Sequence, residues 1–278
     1  MPFDSPHFPQ AEAYIAREVA FVVALESSGL PVPHFHATSN GDKYVTAASS
    51  NSLLFITLMN CIPGNHPIPD VRTVEATAAL QVKLHSLSRT TSSDLFPPSA
   101  QYSALAHRQH DPVETFPRDF PVRLLAELQS VAGTISPEIK AYFFSHCQQP
   151  IHGDTTVSNL LFTSPSVVSG LLDFGDARCS VVAEDLGIFI WDVADRVEPL
   201  AVTDLTLRYL SQYARLCPLS RLDQRTALFY AIDRYLAINT YYLLYHRSNQ
   251  ARLADQAAKA TRQLGIAHQL LAVAHRLR

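Results

Sequence analysis

"IHGDTTVSNLLF", residues 151 to 162, places an acid and an amide five residues apart between two apolar runs. A second acid, Asp173, follows fourteen residues after Asn159 in "GLLDFGD", again at the end of an apolar run. Runs of this length read as short strands, so Asp154, Asn159 and Asp173 fall on the loops that join them. A carboxylate on a short loop can orient a hydroxyl and accept its proton. An amide oxygen and a second carboxylate are hard ligands suited to Mg²⁺, which grips polyphosphate. The duller alternative, two acids that only cap turns, accounts for neither the order nor the double match.

The pattern H-G-D-x-x-x-x-N followed by D-F-G-D is similar to the H-R-D-x-x-x-x-N and D-F-G signatures of protein kinases. With "EDLG" downstream, "LHSL" ending the helix before residue 89 and "LMNCIPG" near residue 60, the chain resembles the aminoglycoside phosphotransferase and choline kinase family, hydroxylysine-kinase-like members in particular. The resemblance runs from about residue 12 to 250. It implies an α+β, two-lobed, protein-kinase-like fold, with Asp154 as catalytic base, Asn159 and Asp173 as metal ligands, and Asp185 as an acid that braces the catalytic loop. His152 is expected to pack under that loop and bond backbone rather than act as acid or base.

The remaining pattern fits this outline. Residues 10 to 28 read as a helix stopped by Gly29 and Pro31. "DKYVTAA" and "SLLFITLMNCI" read as a hairpin turning at "SSNS", and Asp70 is placed to cap the helix that follows. Residues 89 to 119 read as a long surface connection, "VRLLAELQSVAGTI" and "SPEIKAYFFSHC" as helical, and nearly everything after residue 184 as helix. The expected division is a reduced N-lobe over 1–64 and a mainly helical C-lobe over 65–278.

The family's nucleotide roof is thin here. No glycine precedes Gly29 and no lysine precedes Lys43, so the chain begins about where the family's third strand should end. Glu18 stands where the partner of the phosphate-gripping lysine is expected, without that lysine. A lost charge-assisted phosphate contact is worth about 1.5–3 kcal/mol. Two functions are therefore carried forward. One is a phosphotransferase acting on a small-molecule hydroxyl with Mg²⁺ and ATP, on a minimal or truncated N-lobe. The other is an ATP-independent enzyme of secondary metabolism, a lyase, cyclase or pericyclase of the Diels-Alderase kind, that uses the same pocket without cofactor.

For the acceptor, Tyr230, Arg234 and Tyr242 recur at four-residue steps on one helix, and Trp191 lies on another. This stripe is the candidate substrate surface; the competing reading is helix core with Arg234 in an internal ion pair. Acids after residue 180 are few, which favours a less cationic acceptor than a polyamine antibiotic. His34 and His36 share one face of an extended segment without a third ligand, and His107 and His110 lie in the irregular connection; both pairs read as surface residues.

Bulk properties set the outer limits. The 278 residues are 47% hydrophobic and 17% charged with net charge −3 and no basic block, which argues against a nucleic-acid partner. The longest apolar stretch, "GIFIWDVADRV", is broken by Asp192 and Asp195, so no membrane span is expected. The N-terminus has no secretory pattern, and a cytoplasmic location is the expectation. Cys61, Cys147, Cys179 and Cys217 lack metal-site spacing and read as free, mostly buried thiols.

Overall fold

A computed structural model describes residues 8–48, 53–90, 95–102 and 121–277. Helix α1 (Phe8–Ser27) buries Val19, Phe21, Val22 and Leu25, residues spaced along one face. It ends where Gly29 takes φ +79 and Leu30 N bonds Leu25 O at 3.1 Å. Strands β1 (Val45–Ala48) and β2 (Leu53–Ile56) pair antiparallel with Val45 opposite Ile56, the expected hairpin; its turn at 49–52 lies outside the described residues. This small N-terminal unit is tied to the rest at Leu171 N, which donates to Pro31 O at 2.8 Å.

Helix α2 (Val71–Ser88) starts at Asp70 as its sequence implies: Asp70 Oδ1 accepts from Thr73 N and Thr73 Oγ1 accepts from Asp70 N. The two helical segments after residue 120 form one helix, α3 (Val122–Ser145), which runs through Pro137. Most of the expected connection over 89–119, with His107 and His110, falls outside the described residues.

Four short strands follow: β3 (Gln149–Ile151), β4 (Leu160–Ser164), β5 (Val167–Leu171) and β6 (Arg178–Ser180). They pair antiparallel as β3 with β6 and β4 with β5. The chain then becomes helical as expected, through α4 (Val182–Arg196), α5 (Pro199–Leu216), α6 (Arg221–Tyr245) and α7 (Gln250–Arg276). Between Thr226 and Ala237 every α6 residue except Arg234 is buried, which makes α6 the central helix of this part. It crosses α4 at Gly187, where a Cβ would lie 2.5 Å from Tyr230 Cβ and 2.6 Å from Ala227 O. Only glycine permits that approach.

The architecture is α+β, with a small N-terminal unit and a mainly helical remainder. No helix among the described residues is long and apolar enough to cross a membrane. All four cysteines are free, but the expectation that most are buried is corrected: Cys179, in β6, is buried and Cys217 is half-buried, whereas Cys61 and Cys147 lie outside helices and strands and are exposed.

Candidate active site

The two strand pairs decide where the loop residues go. Because β3 pairs with β6, the loop leaving β3 at Asp154 lies beside the loop entering β6. Because Leu160 of β4 sits opposite Leu171 of β5, Asn159 and Leu172 are neighbours just outside that ladder. Leu172 N accordingly donates to Asn159 O at 2.8 Å. The loops carrying Asp154, Asn159 and Asp173 are thus held together by antiparallel register.

Asp154 and Asn159 touch directly. Asn159 Nδ2 donates to Asp154 Oδ2 at 2.9 Å and to Asp154 O at 2.8 Å. Both bonds use the amide nitrogen and leave its oxygen, the atom that ligates a cation, uncommitted. Asp154 is half-buried, and burial raises its carboxyl above the usual range; the Arg234 guanidinium pulls the other way and Asp176 adds to the rise. Asp173 is exposed and holds φ +59, the one positive φ outside glycine among the described residues. Such backbone costs energy and is concentrated at functional loops. Its Oδ1 accepts from Gly175 N at 3.3 Å.

His152 lies beneath both loops, fully buried. Nε2 donates to Leu172 O at 2.9 Å and Nδ1 accepts from Asp154 N at 3.2 Å, so the ring joins the Asp173 loop to the Asp154 loop. Burial holds its pKa below the ordinary imidazole value, against the opposing pull of Asp185. The packing role expected for it matches this geometry.

Asp185 accepts from Gly153 N at 2.9 Å, His152 N at 3.3 Å and Thr155 Oγ1 at 3.3 Å. Burial would raise its carboxyl, but the hydrogen bond and charge of His85, with help from His152 and Gly153, bring it below the usual range. Gly153 turns the loop at φ +81, with room for no side chain: a Cβ would sit 2.2 Å from both Arg178 Nη1 and Asp176 O. Arg178 in turn donates to Asp176 O, Gly153 O and Glu184 Oε1.

Asp192 escaped the sequence reading as a site residue. Its Oδ2 accepts from Val157 N at 2.7 Å and from Arg196 Nε at 2.9 Å, fixing the 3-10 turn Val157–Asn159 from α4. The signal was an acid within "GIFIWDVADRV", which counted against a membrane span and among the few acids after residue 180.

The substrate stripe divides. Arg234 Nη2 lies 3.3 Å from Asp154 Oδ1, and its guanidinium carbon lies 5.3 Å from the Trp191 ring centroid. These three residues form one cluster, and the ion pair that the competing reading gave Arg234 is made with Asp154. Tyr230 is 3% exposed in the α4–α6 crossing, a correction to its place on the acceptor surface. Tyr242 is exposed and packs with Tyr241 and His246 instead. A four-residue step overshoots a 3.6-residue turn by about 40°, so the stripe winds off any one face within three steps.

In the N-terminal unit, Glu18 is partly buried, and burial together with the Asp173 carboxylate pushes its carboxyl up. The nearest sequence cations are committed elsewhere: Lys43 Nζ donates to Phe35 O at 2.8 Å and Arg17 Nε to Ala13 O at 3.0 Å. His34 bonds Glu26 and His36 bonds Asn60, each at 2.6 Å. Among the described residues no group of three or more His, Cys, Asp or Glu side chains is placed to hold a metal ion. A cation at Asp173 and Asn159 would thus be held by one carboxylate and one amide oxygen, with the rest of its shell from phosphate and water.

Residues 4–219 match the model of the phosphotransferase enzyme family. Among curated proteins none matches. Among solved structures, an aminoglycoside phosphotransferase from Alicyclobacillus acidocaldarius superposes with TM-score 0.69 at 16% identity, over 94% of this chain and 83% of that one. An amicoumacin kinase in complex with AMP-PNP, Ca²⁺ and Ami gives 0.68 at 15%, over 92% and 78%. A microcompartment-associated aminopropanol kinase gives 0.68 at 15%, over 98% and 84%. At these identities the likeness shows the fold, which is kinase-like and two-lobed with short N-terminal strands and a helical C-lobe.

Proposed function

The chain belongs to the phosphotransferase enzyme family, and on that premise we propose that it transfers a phosphoryl group from ATP to a small-molecule hydroxyl with Asp154 as the base. The observation that carries the reading is the Asn159 Nδ2 bond to Asp154 Oδ2 at 2.9 Å, which aims the carboxylate while leaving the Asn159 oxygen free beside the Asp173 loop. Family membership and the kinase-like fold support it. Neither favours the ATP-independent alternative.

In this reading Asp154 accepts the proton of the acceptor hydroxyl as its oxygen bonds to phosphorus. The bond from phosphorus to the bridging oxygen breaks, and the nucleoside diphosphate leaves. The raised carboxyl of Asp154 makes it a better proton acceptor than an ordinary aspartate, and Arg234, opposing the rise, favours its ionised form. Asn159 and Asp173 fit a hard divalent ion, Mg²⁺ by charge and donor type: their oxygens are uncommitted or exposed, and the loops are locked side by side. Bound there, the ion supplies neutralisation of charge on the phosphoryl oxygens. His152 and Asp185 hold the loop so that these oxygens do not drift.

The test is ADP release with Mg·ATP across a panel of hydroxyl-bearing metabolites, for the wild type and for Asp154→Ala. Acceptor-dependent release that vanishes in the variant supports the proposal. Equal release from both proteins, or none with any acceptor, overturns it.

A further inference from the structure

The cation set against Asp154 has more donors than its surroundings satisfy. Arg234 Nη2 makes a single 3.3 Å contact with Asp154 Oδ1, at the long end for a charge-assisted bond. Nε, on the same edge of the guanidinium, is buried with no partner among the described residues. So is Trp191 Nε1, on the ring that lies against this guanidinium. Folded proteins seldom leave buried donors unmatched, and two beside a proposed base call for an oxygen acceptor supplied from outside. The side chains of Arg234 and Asp154 are 26% and 23% exposed while Nε itself is covered, so an incoming acid meets Nη2 first and reaches Nε as the guanidinium turns from Asp154.

We propose that Arg234 is the specificity-determining residue of this site, and that the acceptor it selects carries a carboxylate a few bonds from the hydroxyl to be phosphorylated. This rests on Asp154 being the base. A carboxylate can take Nη2 and Nε together as two parallel bonds, a better match for the planar fork than the single contact Asp154 makes. Binding the acid therefore draws the guanidinium away from Asp154 Oδ1 and leaves that oxygen to receive the hydroxyl proton. An acceptor bearing an ammonium would meet Arg234 as a like charge on the same spot.

Two matched sets test this on the full chain without nucleotide: 4-hydroxybutyrate, 1,4-butanediol and 4-aminobutan-1-ol; then 3-hydroxybenzoate, 3-hydroxybenzyl alcohol and 3-hydroxybenzylamine. Binding is read by calorimetry and by thermal shift. In at least one set the acid binds about tenfold or more tightly than the diol and the amine. Arg234→Gln abolishes that preference, and Arg234→Lys, which keeps charge but not the fork, retains only part of it. Melting curves establish that the variants are folded, and if Arg234→Gln is not, the lysine variant decides. An amine or neutral alcohol that binds as well as its acid in both sets overturns the inference, as does failure of both acids to bind at about 10 mM, or a preference that survives loss of the fork. ADP release is measured separately. Acid preference without ADP release sinks phosphoryl transfer and keeps Arg234 as an acid-binding residue; ADP release with an amine as the best acceptor does the reverse.

Discussion

His85 and Asp185, a hundred positions apart, meet in the core with His85 Nε2 3.0 Å from Asp185 Oδ2. Neither side chain is more than 1% exposed. The far side of the ring faces Tyr213 Oη at 2.9 Å, so Asp185 heads a chain of three polar groups running from α4 through α2 to α5. Asp185 Oδ2 also accepts from His152 N and its Oδ1 from Gly153 N, which places Asp154. The loop that carries Asp154 is thus suspended from the helical core.

Asp185→Ala removes the acceptor for two loop N–H groups and the Thr155 hydroxyl and strands His85. Breaking a buried pair of this kind costs about 3–5 kcal/mol, to be read from urea midpoints. A cost below about 1 kcal/mol would contradict the suspension. Because the folded carboxyl is depressed, its contribution is complete above the unfolded value near ~3.9 and fades as pH falls through the lower folded value.

His152 gives a second pH signature in a milder range. With its folded pKa depressed by burial, the unfolded chain takes up a proton that the native ring refuses once pH drops below about 6.5. Stability should then fall with pH by up to about 1.4 kcal/mol per unit from this one group, until the folded pKa is reached. Other histidines contribute to the total, so the comparison is with His152→Gln. The variant should lose stability at neutral pH yet show a shallower fall between about pH 7.5 and 5.5. Parallel curves would remove His152 as the source.

What sequence could show here depended on how each residue works. That the loops carrying Asp154, Asn159 and Asp173 lie together was legible because short apolar runs reported the strands whose register joins them. Asp70 was legible for the same local reason, its partner being three residues away. Arg234 was half legible. Being buried nearly all round, α6 gives no apolar stripe from which to read a face, so Tyr230 and Tyr242 were grouped with a residue whose surroundings they do not share. Asp192 was illegible: its partner, Val157 N, is a backbone group 35 positions away that every sequence contains.

Asp192 can be tested by separating its two partners. Asp192→Ala leaves Val157 N buried without an acceptor, a loss of about 1–3 kcal/mol, and loosens the turn that ends at Asn159. Asp192→Asn keeps an oxygen for Val157 N and gives up mainly the ion pair with the partly exposed Arg196, worth about 1 kcal/mol or less. The alanine variant should therefore lose both stability and turnover while the asparagine variant stays near wild type. Equal losses would mean that Arg196, not the loop, is what Asp192 serves.

Asn159 has two functions in the proposed site, and two substitutions separate them. Asn159→Ala removes the amide oxygen, so the Mg²⁺ concentration needed for half-maximal ADP release should rise, by about tenfold for the loss of one ligand. Asn159→Asp restores oxygen but replaces the Nδ2 donor with a second carboxylate about 3 Å from Asp154. Two acids that close cannot both ionise at their ordinary values, and the already raised carboxyl of Asp154 is driven higher. Since the base must be deprotonated to act, the acidic limb of the pH–rate profile moves to higher pH, by about one unit or more, and turnover lost at neutral pH is recovered in part on the alkaline side. An unmoved acidic limb in Asn159→Asp, alongside an unchanged Mg²⁺ requirement in Asn159→Ala, would place Asn159 outside the chemistry and confine it to holding the loop.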